Sequence, residues 1–328
     1  MKKHLIMLSI ICAVVFSGGA YAQEKRFEIC SGAFGGTAFQ CGFAISEIIK
    51  KVNPEYEILP VETSGSHGTY MRAVSSPERM LISAAVTPFR EAIIGKSPYP
   101  KAYPNLKLIG FMTSNVQTLV TYDPEIQSVE DMAGKRIGLR VRNTTTGKYL
   151  WSVIKHGIPD SEKNEPMYMN WGALQSGMMD GSLDVCAMGV AVNPNGPWKP
   201  VSIYMEMVAS RGAPRFLSVK QEWLDAAGKE DGMIYPPLVI PRGAIAENVP
   251  DRDVLAWEER IGIFAFSETP DELAYDIARI LCENQKEITA ITPIGLLMSR
   301  EITVPGADMP DEQIHPGALK YYKEKGLR

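Results

Sequence analysis

"LKLIGFMTSNVQTLVTYD", residues 106–123, holds more strand-forming residues than one ordinary strand uses, since strands typically run about 5–6 residues. The reading that decides the fold is that this run crosses from one lobe of the molecule into another. Upstream of it, strand-like and helix-like segments alternate: "RFEICS", "GFAISEIIKKV", "YEILPVE", "GTYMRAVSS", "MLISAAVT", then "PFREAIIG", a helix expected to open at Pro88. Such a βαβαβα series marks a mainly parallel sheet with helices on both faces. Downstream the series restarts with "SVEDMAGKRIGLRV", "TTGKYLWSVIKHG", "PMYMNW", "GALQSGMMDGSL" and "DVCAMGVA". A second apolar run, "RIGIFAFSE", crosses back, and "PDELAYDIARILCENQKEIT" reads as one amphipathic helix capped by Thr269 and Asp271. The expectation is two α/β lobes joined by two crossing strands, hinged as a clamshell. Residues 23–118 and 262–328 form the first lobe and 119–261 the second.

The chain opens with Lys2 and Lys3, an apolar stretch from Leu5 to Phe16, and Ala20-Tyr21-Ala22. That is the pattern of a secretory signal peptide, with cleavage expected after Ala22. The apolar stretch falls short of the roughly 20 residues a spanning helix needs, so the mature protein is expected to be soluble and exported. Losing the two lysines takes the formal charge from -4 to -6, a balance that argues against nucleic acid as a partner. A hydrophobic fraction of 45% supports a core large enough for two lobes. Of the mature cysteines, Cys30 and Cys41 lie nearest in sequence, yet Cys30, Cys41, Cys186 and Cys282 read better as inert packed thiols than as a disulfide framework.

Catalysis needs an activated nucleophile, an acid–base pair or a metal set, and the chain nominates none. His67, His156 and His315 are scattered, and H-E-x-x-H, G-x-S-x-G, G-x-x-x-x-G-K-[ST] and G-x-G-x-x-G are missing from the sequence. The expectation is a protein that is not an enzyme and carries neither cofactor nor metal. What the sequence offers instead is three polar, glycine-rich loops, each leaving a strand and entering a helix: "SGAFGGTAFQCG", "ETSGSHGTY" and "RVRNTTTGKY". Free backbone N–H groups at a helix N-terminus favour an anion, and glycine lets a ligand approach the backbone. Loops at the carboxyl ends of strands in two lobes converge on the crevice where open α/β sheets bind ligands. Arg140 and Arg142 share a strand face. Arg140 reads as part of a solvated edge, whereas Arg142 adjoins the third loop, where a guanidinium can pair with a carboxylate. His67, Phe39 and Tyr70 are candidates for the pocket wall, and Trp171 for core or hinge packing.

These stretches resemble the TAXI class of extracytoplasmic solute receptors of TRAP transporters, over essentially the whole mature chain. "GGTAFQCG" is similar to that family's Gly-Gly-Thr-aromatic-aromatic loop, "ETSGS" to its Thr-Gly-Gly-Ser loop, and "MAGKRIGL" with "NTTTG" to its Gly-Lys-Arg strand and Gly-Ser-Gly-Thr loop. "MMDGSLDVCAMGVAVNP" is similar to its Gly-x-(Ile/Leu)-Asp-Ala strand, and "IHPGALKYYKEKGL" to its closing His-Pro-Gly-Ala-x-x-Tyr-Tyr stretch, the most specific of the matches. The resemblance implies a periplasmic binding protein-like α/β fold of type II with a central ligand cleft. It also implies capture of a small organic anion, an amino acid or carboxylate, and its delivery to the membrane permease subunits of a TRAP transporter. A ligand-sensing periplasmic receptor is the alternative, and an exported enzyme on the same fold a more distant one. Carried over by position, Gly35, Gly36, Thr37 and Phe39 with Ser64, Gly65 and Ser66 line the first lobe's side of the cleft. They face Asn143, Thr144, Thr145 and Thr146 of the second lobe. Arg142 joins this substrate-binding set on the strength of its place beside the third loop. The chain departs from the family at Ala38 and Gln40, at Val86 and Pro88, and at Arg142, where a small residue or proline is usual.

Overall fold

The computed structural model describes residues 25–142, 144–193 and 196–328, so the expected signal peptide with its expected cleavage after Ala22, and Asn143, lie outside the described residues. The first half runs β1 (Lys25–Ser31), α1 (Thr37–Val52), β2 (Tyr56–Glu62), α2 (Ser66–Ala73), β3 (Met80–Ala85), α3 (Val86–Ile94) and the long β4 (Leu106–Thr121). There follow β5 (Ile137–Arg140), α4 (Thr145–Ile154), β6 (Met167–Met169), α5 (Trp171–Asp180), β7 (Val185–Val192), β8 (Trp198–Pro200), α6 (Ser202–Arg211), β9 (Arg215–Leu217), α7 (Gln221–Asp231) and β10 (Pro237–Ile240). The chain then returns through β11 (Val254–Phe266) to α8 (Asp271–Glu283), α9 (Gln285–Ile291), α10 (Arg300–Thr303) and α11 (Pro316–Glu324).

Two α/β lobes share one sheet, ordered β2-β1-β3-β11-β4-β7-β5-β6. Within the first lobe β1 pairs in parallel with β2 and β3, and within the second β5 pairs in parallel with β6 and β7. The antiparallel pair β4 and β11 joins them, in register from Leu106 against Phe266 to Gln117 against Trp257 with two register shifts between. Both crossing strands read from the sequence are therefore present, each as a single strand. β3 flanks the first-lobe end of β11, and β7 flanks β4 from Ser114 to Thr121.

Side-chain alternation distributes these strands among three apolar clusters. Ile29, Ile45, Phe89, Phe111, Phe264 and Tyr322 belong to the first lobe's core. In the second lobe Leu119, Val185, Ala187 and Trp257 face one side of the sheet, and Val116, Val120, Cys186 and Met188 the other. Every residue of β3 and of β7 is buried, which is why both read as continuous apolar runs.

Local starts and stops differ from the expectations in three places. α1 begins at Thr37, so half of the presumed loop, including Phe39 and Gln40, is already helix. α3 begins at Val86 with Pro88 inside its first turn, a position where a missing N–H costs nothing. The closing amphipathic segment is two helices broken at Asn284, and Pro270, with no side-chain bond, stands at the N-cap in place of the expected Thr269 and Asp271. Asp271 and Glu272 still sit in the first turn of α8, where their charges suit the helix dipole.

The closing motif shows what its residues do. His315 caps α11, accepting from Gly317 N–H at Nδ1 (3.2 Å) while Nε2 lies 3.1 Å from Phe266 O, and burial lowers its pKa. A Cβ on Gly317 would meet Asp271 O at 2.0 Å, so α11 packs on the start of α8 only with glycine there. The four described cysteines are free thiols. Burial pushes Cys186 up to about 12 and Cys282 up to about 11, far from thiolate chemistry.

Candidate functional site

Each of the three loops is built around a helix N-terminus, and each spends its polar groups differently. In the first, Gly35 takes φ 77° and Gly36 is the N-cap of α1. Phe34 N–H donates to Glu62 Oε1 at 2.9 Å, so an amide of this loop already holds a carboxylate. Gln40 braces the turn by donating to Gly35 O (2.8 Å) and accepting from Thr292 (2.6 Å). Thr37 and Phe39 are half-buried, with Phe39 tilted against the exposed Phe34 ring at 5.2 Å. In the second loop Gly65, the N-cap of α2, takes φ 122°, a conformation suited to glycine. Ser64 is exposed, and Ser66 Oγ accepts from Ala85 N–H at 3.4 Å. In the third, Thr144 caps α4, accepting from Gly147 N–H (3.1 Å) and donating to Val141 O (2.7 Å). Thr145 and Thr146 are buried, and Thr146 Oγ1 donates to Gln117 Oε1 on β4 at 2.5 Å.

Arg142 turns outward. Its side chain is 68% exposed, pairs with Glu165 at 3.3 Å and lies over the Tyr168 ring at 4.1 Å. Arg140 is not the solvated residue the strand pattern implied: it stacks on Trp171 at 4.7 Å, and burial lowers its pKa to about 10. Tyr70 is core, fully buried against Phe264 with its hydroxyl on Ala85 O (3.0 Å). Of the aromatic wall candidates, it is the buried His67 that reaches the other lobe.

Where the lobes meet, a set of polar side chains joins them. His67 (α2) and Glu91 (α3) come from the first lobe, Lys148 and Tyr149 (α4) from the second. His67 Nε2 lies 2.8 Å from Glu91 Oε2 and 3.1 Å from Tyr149 Oη, and Lys148 Nζ donates to Glu91 Oε1 at 3.0 Å. Lys96 adds a second ammonium 3.6 Å from Glu91 Oε1 and also donates to Asp231 O at the end of α7. Burial alone pushes the Glu91 carboxyl up. The bonds from His67 and Tyr149 and the Lys148 charge outweigh it and hold the group down to about 2.

Beside this set, Glu259 on β11 is fully buried and accepts from Thr87 N–H (2.9 Å) and Thr87 Oγ1 (2.6 Å). Thr87 lies in the first turn of α3, so the Glu259 carboxyl is held at a helix N-terminus. Burial pushes its carboxyl up to about 7. Nothing in the sequence marked Glu91, Lys148, Tyr149 or Glu259. Glu91, the Lys148-Tyr149 pair and Glu259 lie far apart along the chain, and Lys148 and Tyr149 stand inside the quoted third loop as ordinary helix residues. A surface hollow of about 280 Å³ lined by Tyr122, Arg215, Phe216, Asn248 and Asp251 takes no residue from the three loops.

The chain matches the NMT1-like family over residues 29–326 and belongs to that family. Among solved structures it is similar to the periplasmic binding protein BugD, at 10% identity over 93% of this chain and 94% of that one, with a TM-score of 0.51. It is also similar to MatC (Rpa3494) from Rhodopseudomonas palustris with bound malate, at 13% identity over 92% and 96% of the chains, TM-score 0.49. A third is the periplasmic aliphatic sulphonate binding protein SsuA from Escherichia coli, at 12% identity over 92% and 94%, TM-score 0.48. No curated protein sequence matches the chain. The fold is that of the periplasmic binding proteins, as the two lobes and crossing strands of the sequence reading required.

Proposed function

We propose that this member of the NMT1-like family is a periplasmic solute receptor that closes its two lobes on a small organic anion and delivers it to the membrane permease of a TRAP transporter. The observation that carries the reading is the inter-lobe set of His67, Glu91, Lys148 and Tyr149, in which charged and polar groups of both lobes meet at bonding distance. A solute that contacts both sides at once binds the closed form better than the open one, and so selects closure. Anion preference follows from the N-termini of α1, α2 and α4, whose first turns carry no acidic residue, and from the Lys148 ammonium. On this reading Gly35, Gly36, Thr37, Ser66 and Thr144–Thr146 supply amides and hydroxyls, and Phe39 an apolar wall. The TRAP permease as partner rests on the motif resemblance, most of all on the His-Pro-Gly-Ala stretch from His315 to Ala318.

Isothermal titration against amino acids, dicarboxylates and neutral sugars tests the reading. An acid is expected to bind one to one, and saturation by neutral sugars alone would defeat the anion claim. Dependence of solute uptake on this protein in vesicles carrying its permease separates transport from sensing. The His67–Glu91 contact resembles half of an acid–base apparatus, so an enzyme on the same fold makes a different prediction: the bound acid would be converted. Recovery of the acid chemically unchanged after long incubation is the expected result.

A further inference from the structure

Among the described residues Lys148 is the one cation of the second lobe placed against a buried carboxylate of the first, and that carboxylate belongs to the protein. We propose that Lys148 is the residue that recognises the solute's carboxylate, and that Glu91 is an internal competitor holding the same ammonium. The inference rests on the anion-receptor reading above and specifies how that receptor sets its affinity.

The geometry is that of a ligand site filled by a side chain. Glu91 is 2% exposed, and its two oxygens face Lys148 at 3.0 Å, Lys96 at 3.6 Å and His67 at 2.8 Å. The nearby acid Asp231 is engaged elsewhere, accepting from Ser152 and Tyr235 at 2.5 Å each. Lys148 differs from its partner in having a side chain that is 36% exposed, so the residue stands at the edge where the buried set meets solvent. An ammonium has three protons to donate. Among the described residues Glu91 and Tyr149 (3.5 Å) engage Lys148 Nζ. Lys148 also stands one turn into α4, behind the Thr144–Thr146 N-terminus, so a carboxylate on Lys148 lies along an element whose start favours anions. Lys96, by contrast, comes from the first lobe, as Glu91 does, and its ammonium also donates to Asp231 O of the second.

Competition has a calculable consequence. If Lys148 is free of Glu91 one-tenth of the time, the apparent affinity for a carboxylate is weakened about tenfold relative to an unhindered site. The same pair ties lobe to lobe, so removing either member loosens closure when no solute is present.

The test uses the full mature chain, stripped of solute by unfolding and refolding, with L-glutamate, 2-oxoglutarate and succinate as probes and glucose as the neutral control. For the acid that the wild type binds, E91Q is expected to bind about tenfold tighter, K148Q at least tenfold weaker, and the double variant as weakly as K148Q. Unchanged or weaker binding by E91Q, or unchanged binding by K148Q, overturns the inference while leaving the receptor reading intact. Glucose bound in place of every acid strikes at the receptor reading itself. Small-angle scattering of the stripped proteins decides the latch independently of any probe: a larger radius of gyration for E91Q and K148Q than for wild type supports it, and equal radii overturn it. Far-ultraviolet circular dichroism establishes that each variant is folded.

Discussion

Two buried carboxylates stand at the lobe junction with opposite titration behaviour, and stability should record both. Glu259 has its pKa raised from 4.5 to about 7 by burial, so the folded state binds more protons than the unfolded state between those values. Its contribution therefore falls as pH rises from about 4.5 to about 7, by about 3 kcal/mol in all. Glu259→Gln keeps an acceptor for Thr87 and removes that slope, so its melting temperature relative to wild type should be higher at pH 8 than at pH 5. An equal difference at the two pH values would contradict the assignment. Glu91, held down to about 2, contributes stability that is present above about 4.5 and lost as pH falls toward 2. Neither group was legible in the sequence, because a Glu in "PFREA" or "WEERI" reads as a solvated helix or strand residue. Only the packing of α3 against β11 and α4 gives each its partners. The serine, threonine and glycine candidates do fall at the starts of α1, α2 and α4, because capping chemistry is local. Arg142 was selected by its neighbourhood in sequence, and its side chain turns to Glu165 and Tyr168.

At the level of elements, the third loop depends on how closely α4 can approach β5. A Cβ on Gly147 would meet Arg140 O and Val141 O at 2.3 Å each, and neither is the tip of a flexible side chain. Gly147→Ala should therefore push the start of α4 off the strand, destabilising the fold by about 1–3 kcal/mol and displacing Thr144–Lys148. Thr144→Ala removes only the cap, at about 1 kcal/mol. Urea denaturation separates the two, and equal effects would show that the close approach does not matter. The same physics explains which boundaries were readable. The strands announced themselves through continuous burial, as in β3 and β7. The start of α1 did not, because Gly36 caps it without a side-chain bond and Thr37-Ala38-Phe39 carries no helix signal. Pro88 looked like the first residue of α3 and is instead tolerated within its first turn.

For the whole molecule, the arrangement of two lobes on one sheet was readable from "LKLIGFMTSNVQTLVTYD", since a strand as long as Leu106–Thr121 must serve two cores. The chemistry between the lobes was not, because His67 meets Tyr149 82 residues along and Glu91 meets Lys148 57 residues along. Sequence pattern places loops at the same end of a sheet; closure decides which side chains touch. Native mass spectrometry of the protein, incubated with an equimolar mixture of organic acids and neutral sugars, tests the central claim most directly. The account predicts one acid retained per chain under native conditions and released on denaturation. Retention of a sugar with every acid excluded would contradict it.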